Sequence, residues 1–170
     1  MQAINSTGIF LGIKYASKQM IKQEPYAGSD RGWIINAASV NAMMGQTLAA
    51  DYCVAKGAVI NLNRAAALDY APYGIRVNAF ARGYTGTSMT LDQFENADRR
   101  EMLTHMYPLR GLGSPDDLAK VCVLLASDDA QRVTGVSTSP PGSAGTPSLT
   151  MPRGLFRWTV VTLLADFRNE

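Results

Sequence analysis

"WIINAASVNAMMGQTLAADYCVAKGAV", residues 33–59, is the stretch whose reading decides the fold. Its opening "WIINAASV" is a short, continuous apolar run rather than an alternating one. That pattern belongs to a buried strand of a parallel sheet covered on both faces. Downstream, Ala55, Val59, Leu62 and Ala66 form one stripe and predict a helix from about Thr47 to Tyr70, which Pro72 and Gly74 end. Inside that helix the four-residue step from Tyr52 to Lys56 stacks a phenol and an ammonium on one face. A cation held beside a phenol favours the phenolate, drawing a tyrosine down from its usual value of about 10. Ser39 precedes Tyr52 by thirteen residues. The spacing reads as an acid/base device with a hydroxyl nearby.

The flanking sequence supplies a setting. Ser6 or Asn5 opens a first helix with apolar positions at Ile9, Ile13, Ala16 and Met20, and a turn-rich loop, "KQEPYAGSDRG", follows it. "GIRVNAFA" reads as a second buried strand. After "RGYTGTSMT" comes a polar helical stretch to about His105. "SPDDLAKVCVLLA" is the clearest helix, with Ser114 as its cap, Pro115 at the first position, and Asp116 and Asp117 at the positive end. Helix, strand, helix, strand, helix implies α/β architecture around a parallel sheet. Only two strands are legible, whereas a doubly wound sheet has about five or more. After "VTGV" the composition changes: residues 137–154, "STSPPGSAGTPSLTMPRG", read as a flexible linker, and residues 155–170 as a tail of undecided structure. Residues 1–136 are the folded region.

Bulk properties narrow the function classes. The 170 residues suit one domain, large enough to bury roughly 70% of its unfolded surface. With 46% hydrophobic and 18% charged residues, the composition is globular. The net charge is +2, and the basic residues are scattered rather than gathered into a stripe, which argues against nucleic acid as a partner. His105 is the single histidine, so neither a histidine-rich metal site nor a Ser-His-Asp triad can be built, and no metal is expected. Cys53 and Cys122 read as small buried hydrophobes in a reducing compartment. "MQAINSTGIFLGIKY" has no basic leader, and the eight-residue "WTVVTLLA" is too short to span a bilayer. A soluble, cytoplasmic protein with no membrane partner is the expectation.

Taken together, "INSTGIFLGIKYASKQM", "GWIINAASV", "YCVAK", "LDYAPYGIRVNAFARGYTGT" and "PLRGLGSPDDLAKVCVLLASDDAQRVTG" resemble the classical short-chain dehydrogenase/reductase family, in family order and over residues 4 to 136. YxxxK alone is weak; with the serine, the upstream asparagine and the downstream strand and loop it is specific. The resemblance implies a Rossmann-like doubly wound parallel sheet and hydride transfer between NAD or NADP and a ketone or secondary alcohol. It implies Tyr52 as proton donor and acceptor, with Lys56 lowering its pKa and bonding the nicotinamide ribose. Ser39 would hold the substrate carbonyl and Asn5 would anchor a water chain behind Lys56. Thr85 and Thr87 would contact the nicotinamide amide. Read by themselves, Asn5 and Thr87 are also ordinary helix-cap residues.

The sequence departs from the family pattern in several places. It holds no TGxxxGxG turn, no residue choosing NAD or NADP, and no NNAG segment. Arg82 stands where the family has proline before Gly83, and Arg110–Gly111 reverse the commoner order. The last strand, expected after Gly135, is replaced by the proline-rich tail. The expectation is therefore the final strands and helices of the fold, a reductase impaired by truncation. The alternative is an inactive fragment that acts, if at all, by joining a full-length relative in a homo- or hetero-oligomer through helices near 5–22 and 47–70. The loop from Tyr84 to Pro108 would line the substrate pocket, and Met89, Leu91, Phe94, Met102 and Tyr107 suggest an apolar ligand.

Overall fold

The computed structural model describes residues 1–26, 30–107 and 112–138. Its centre is a parallel sheet of β1 (Gly32–Ser39), β2 (Ile75–Arg82) and a short β3 (Ser137–Thr138), in that spatial order. β1 and β2 match the two predicted strands to within a residue. Both are buried along most of their length, as the unbroken apolar runs require. The third strand corrects the expected linker boundary: Ser137 and Thr138 pair with Ala79 and Phe80. The rest of the linker, the 155–170 tail and the reversed Arg110–Gly111 pair lie outside the described residues.

Two layers of helix cover the sheet. On one face lie α1 (Ile9–Met20) and α2 (Ala50–Tyr70), where Ile13, Ala66 and Ala67 meet Ile34, Ile75 and Val77. Further along, Val59 and Ile60 pack on Ala38, Ala79 and Ala81. The small residues at these strand positions let α2 approach closely. On the opposite face α5 (Pro115–Ala126) sets Cys122 and Leu125 against Ile35 and Phe80. α3 (Leu91–Glu95) and α4 (Ala97–His105) stand beyond the end of β2.

Local chemistry explains most boundaries. Ser114 caps α5 in a reciprocal capping box: its Oγ accepts from the Asp117 N–H, while the Asp117 carboxylate accepts from the Ser114 N–H. After α2, Pro72 falls in a single 3₁₀ turn and Gly74 adopts the left-handed conformation, φ 69°, that releases the chain into β2. Two starts differ from expectation. Neither Asn5 nor Ser6 caps a helix, because helical backbone is already present from Gln2 and passes through a π-helical turn, Ala3–Gly8, into α1. α2 begins at Ala50 rather than Thr47, because Leu48 is in the left-handed region at φ 60°.

Three buried asparagines tie the layers together. The Asn36 amide on β1 donates to Asn63 Oδ1 on α2 (3.1 Å), and Asn63 donates onward to the Val136 carbonyl (3.2 Å). The Val136 N–H donates to Asn78 Oδ1 on β2 (3.2 Å). These bonds hold the strand that enters β3, although Asn36 Oδ1 and Asn78 Nδ2 are buried without a partner. Among the described residues, no helix is long and apolar enough to cross a membrane.

Candidate active site

β1 and β2 end side by side, with Ser39 paired to Arg82 in the register. A cleft of about 350 Å³ opens beyond those ends, where ligands of parallel α/β sheets commonly bind. Ser39, Tyr52, Arg82, Gly83, Tyr84 and Thr85 line it, together with Asn41, Gln46, Asp51, Met89 and Thr90. The start of α2 places Tyr52 on the wall, half-buried. Leu48, fully exposed, lies on the same rim in its strained conformation.

Of the residues singled out from sequence, Ser39, Tyr52 and Thr85 meet in this cleft. Ser39 is buried, and its Oγ accepts the Asn41 N–H at 3.2 Å, which leaves the hydroxyl hydrogen to donate elsewhere. Lys56 stands behind the cleft wall, 7% exposed. Its Nζ donates to the Ala37 carbonyl (3.0 Å) and lies 5.8 Å from the Tyr52 ring centroid. The four-residue step thus puts the cation over the phenol ring as a helix face requires. Asn5 is placed differently: its amide donates to the Met1 carbonyl (3.4 Å) and to Met1 Sδ (3.3 Å), and it does not line the cleft. Thr87 does not line the cleft; its N–H donates to Thr90 Oγ1 at 3.1 Å.

The loop from Gly83 to Thr90 is held from several sides. Thr85 bridges to Gly113 ahead of α5, where the Gly86 N–H donates to the Gly113 carbonyl (3.2 Å) and the Gly113 N–H to the Tyr84 carbonyl (3.3 Å). Thr90 Oγ1 donates to the Thr85 carbonyl at 2.6 Å. The Tyr84 N–H donates to the Tyr107 phenol oxygen (2.9 Å), so buried Tyr107, just past the end of α4, clamps the loop. Burial pushes the Tyr107 phenol above 10.0, against the smaller lowering effect of that Tyr84 hydrogen bond. Gly83 has no space for a side chain, because a Cβ there would stand 2.6 Å from the Tyr107 ring. A further chain of polar contacts runs from the Tyr84 phenol oxygen, which accepts from Gln46 (3.5 Å), through Gln46 and Asn41 to Ser39.

Several of these partners escaped sequence reasoning. Tyr107 was read as pocket lining, but it is buried beneath the loop. Of the five residues expected to give an apolar pocket only Met89 lines the cleft; the rest of its apolar surface comes from residues such as Met1, Val40 and Leu48, interspersed with polar groups. Leu91 and Met102 are exposed, and the Phe94 ring packs beside Gly86. Arg76 was seen only as one scattered base, yet it is buried and joins β2 to α5. Cys53 is half-buried rather than buried, whereas Cys122 is buried and its thiol is raised above 9.0 by that burial. Among the described residues no cluster of His, Cys, Asp and Glu could hold a metal ion.

A parallel α/β sheet with serine, tyrosine and lysine gathered at its carboxyl end is the arrangement of a short-chain dehydrogenase, and this chain belongs to the short-chain dehydrogenase/reductase family. The family profile described as enoyl-(acyl carrier protein) reductase matches residues 1–139. The chain is 36% identical over 146 residues to a 2-(S)-hydroxypropyl-CoM dehydrogenase of Xanthobacter autotrophicus, covering 84% of this chain and 55% of that one. It is 38% identical over 136 residues to the 2,5-dichloro-2,5-cyclohexadiene-1,4-diol dehydrogenase LinX of Sphingobium indicum, covering 80% and 51%. Among solved structures, it superposes on a short-chain type dehydrogenase/reductase from Mycobacterium marinum with a TM-score of 0.75 and 31% identity, covering 86% of this chain and 56% of that one. A 4-hydroxyisoleucine dehydrogenase complexed with NADH gives a TM-score of 0.75 at 27% identity, over 82% and 56%. The chain spans about half the length of the curated relatives it matches.

Proposed function

We propose that this chain carries the proton-transfer and substrate-holding part of a nicotinamide-dependent reductase acting on a ketone or secondary alcohol. The observation that carries the reading is the meeting of Ser39, Tyr52 and Thr85 on one cleft, with the Lys56 ammonium over the Tyr52 ring. Ser39 donates a hydrogen bond to the substrate oxygen. As hydride reaches the carbonyl carbon, that oxygen gains negative charge, and Tyr52 gives it a proton. Lys56 holds positive charge beside the phenol while the proton leaves. In the oxidising direction the same groups run in reverse.

The residues fit the nicotinamide end of NAD or NADP. Tyr52 and Lys56 would hold its ribose, and the buried loop at Thr85, with Thr87 behind it, would hold its amide. The bound cofactor supplies the hydride. The described residues include no glycine-rich turn for the pyrophosphate, so this chain alone should bind the nucleotide weakly and turn over slowly. Titrating purified protein with NADPH and with NADH, followed by nucleotide fluorescence, tests this. Saturable micromolar binding defeats the impairment. Turnover that survives Tyr52→Phe defeats the proposed chemistry. Two thiols without a disulfide agree with a cytoplasmic setting.

A second reading has its own support. Phe10, Leu11 and Tyr15 on α1, and Val54 and Leu68 on α2, are large apolar side chains left exposed. They fit an interaction role through those helices, with a full-length relative as partner. Size-exclusion runs with and without such a relative test it, and a lone monomer in both sinks it.

A further inference from the structure

We propose that Arg82 selects an acidic substrate: a short oxo or hydroxy acid whose carboxylate pairs with the Arg82 guanidinium while its carbonyl or hydroxyl oxygen meets Ser39 and Tyr52. The inference rests on the reductase reading above and adds the substrate class to it. Arg82 ends β2 directly beside Ser39 and lines the same cleft. It is only half-buried, and among the described residues its guanidinium meets no carboxylate and has one recorded contact, Met89 Sδ at 3.9 Å. A thioether is a weak acceptor and takes one of the five N–H donors, so most of the fork is left for a ligand in the cleft that Arg82 lines. That fork matches a carboxylate in two parallel hydrogen bonds.

Three further observations bear on the ligand. The reach to Met89 carries the guanidinium toward the loop at Thr85–Thr90, beside the place where Thr85 would hold the nicotinamide amide. That amide is neutral, so a carboxylate meeting Arg82 here belongs to the substrate rather than to the nicotinamide. Asp51 also lines the cleft, but it is exposed in the first turn of α2, where water and the helix terminus stabilise its charge, and it does not pair with Arg82. A volume of about 350 Å³ leaves room for a small acid beside the nicotinamide end of the cofactor.

The test follows the Arg82 side-chain Nε–H resonance in the ¹⁵N-labelled full chain, assigned by its loss in Arg82→Lys. Acetoacetate, its neutral methyl ester and nicotinamide mononucleotide are titrated separately. The expected result is a saturable shift with acetoacetate and binding of the ester about tenfold weaker. Arg82→Met should erase that preference and Arg82→Lys should keep part of it, with unchanged far-ultraviolet dichroism in both. The acid-against-ester comparison needs no variant, so it holds even if a substitution perturbs folding. Equal binding of acid and ester overturns the Arg82 assignment and leaves the reductase reading intact. A response to the mononucleotide alone overturns it too, moving Arg82 to the cofactor. No response to acetoacetate overturns the Arg82 assignment, and the Tyr52→Phe turnover test above then decides the reductase reading by itself.

Discussion

Two arginines on β2, Arg76 and Arg82, point to the same face of the sheet six residues apart and live in opposite conditions. Arg76 is 6% exposed and fully engaged: Nε pairs with Asp30 at 2.7 Å, and the two terminal nitrogens donate to the Leu125, Ser127 and Ala130 carbonyls. Those carbonyls lie at and just after the end of α5, where the helix is negative, so the guanidinium closes that terminus. Its flat side also lies 5.8 Å from the Trp33 ring. Arg82, at the other end of the strand, has a sulfur. One cation is bound by the protein; the other is available to be bound. The difference teaches where structure stops and recognition begins on this sheet.

The largest expected effect breaks the satisfied end. Arg76→Ala removes a buried cation and orphans Asp30 together with three carbonyls, which should cost about 3–5 kcal/mol in denaturant unfolding. Cys122 reports the same event. Its thiol is held above 9.0 by burial, so it should label slowly in the parent and much faster in Arg76→Ala. A loss below about 1 kcal/mol would show that α5 is held by packing alone.

The middle effects concern the loop that links the two regions. Gly83→Ala drives a methyl to within 2.6 Å of the Tyr107 ring and should cost about 1–3 kcal/mol. Tyr107→Leu in the same chain should recover part of that loss. Tyr107→Phe removes only the oxygen that accepts the Tyr84 N–H, worth about 1 kcal/mol. If the two substitutions add instead of coupling, the clamp between α4 and the loop is not the constraint described here.

Sequence made the scaffold legible and the long-range polar contacts illegible. The unbroken runs at 32–39 and 75–82 and the cap at Ser114 are local patterns, and local physics reads them. Arg76 meets Asp30 across 46 positions, and Asn63 meets Val136 across 73, and no periodicity announces such pairs. β3 was hidden because the proline- and serine-rich composition after Val136 masks two residues that pair with β2. Within the site, the spacing of Ser39, Tyr52 and Lys56 was legible because strand and helix geometry converts it directly into proximity. The makeup of the wall was not, since most of the loop's apolar residues stand outside the cleft while Met1, Val40 and Leu48 line it.

A smaller effect asks which end of α5 matters more. The Asp117 carboxyl is held below its ordinary value of 3.8, first by the Ser114 hydroxyl and then by the Ser114 N–H. A lowered folded value means the capping contribution is present above 3.8 and is lost as pH falls through the folded value. Helicity followed by dichroism from about pH 5 to about pH 2 should therefore decline, and Asp117→Asn should flatten that part of the curve. An identical curve in the variant would assign the acid transition elsewhere, leaving the Arg76 end as the stronger anchor.

The smallest effect is the most informative. Arg82→Met should change stability by no more than about 0.5 kcal/mol, because the side chain loses one contact to a thioether and gives up no buried partner. The thioether stem of methionine also replaces the apolar part of the arginine. Equal stability of parent and variant would separate the two arginines completely: the same residue type and the same strand, one holding α5 to the sheet and one leaving a charge at the cleft. A loss of several kcal/mol would mean that Arg82 is satisfied within the fold after all. It would then have nothing left to offer a ligand, and the cleft would have to select its substrate through Ser39, Asn41 and Gln46 instead.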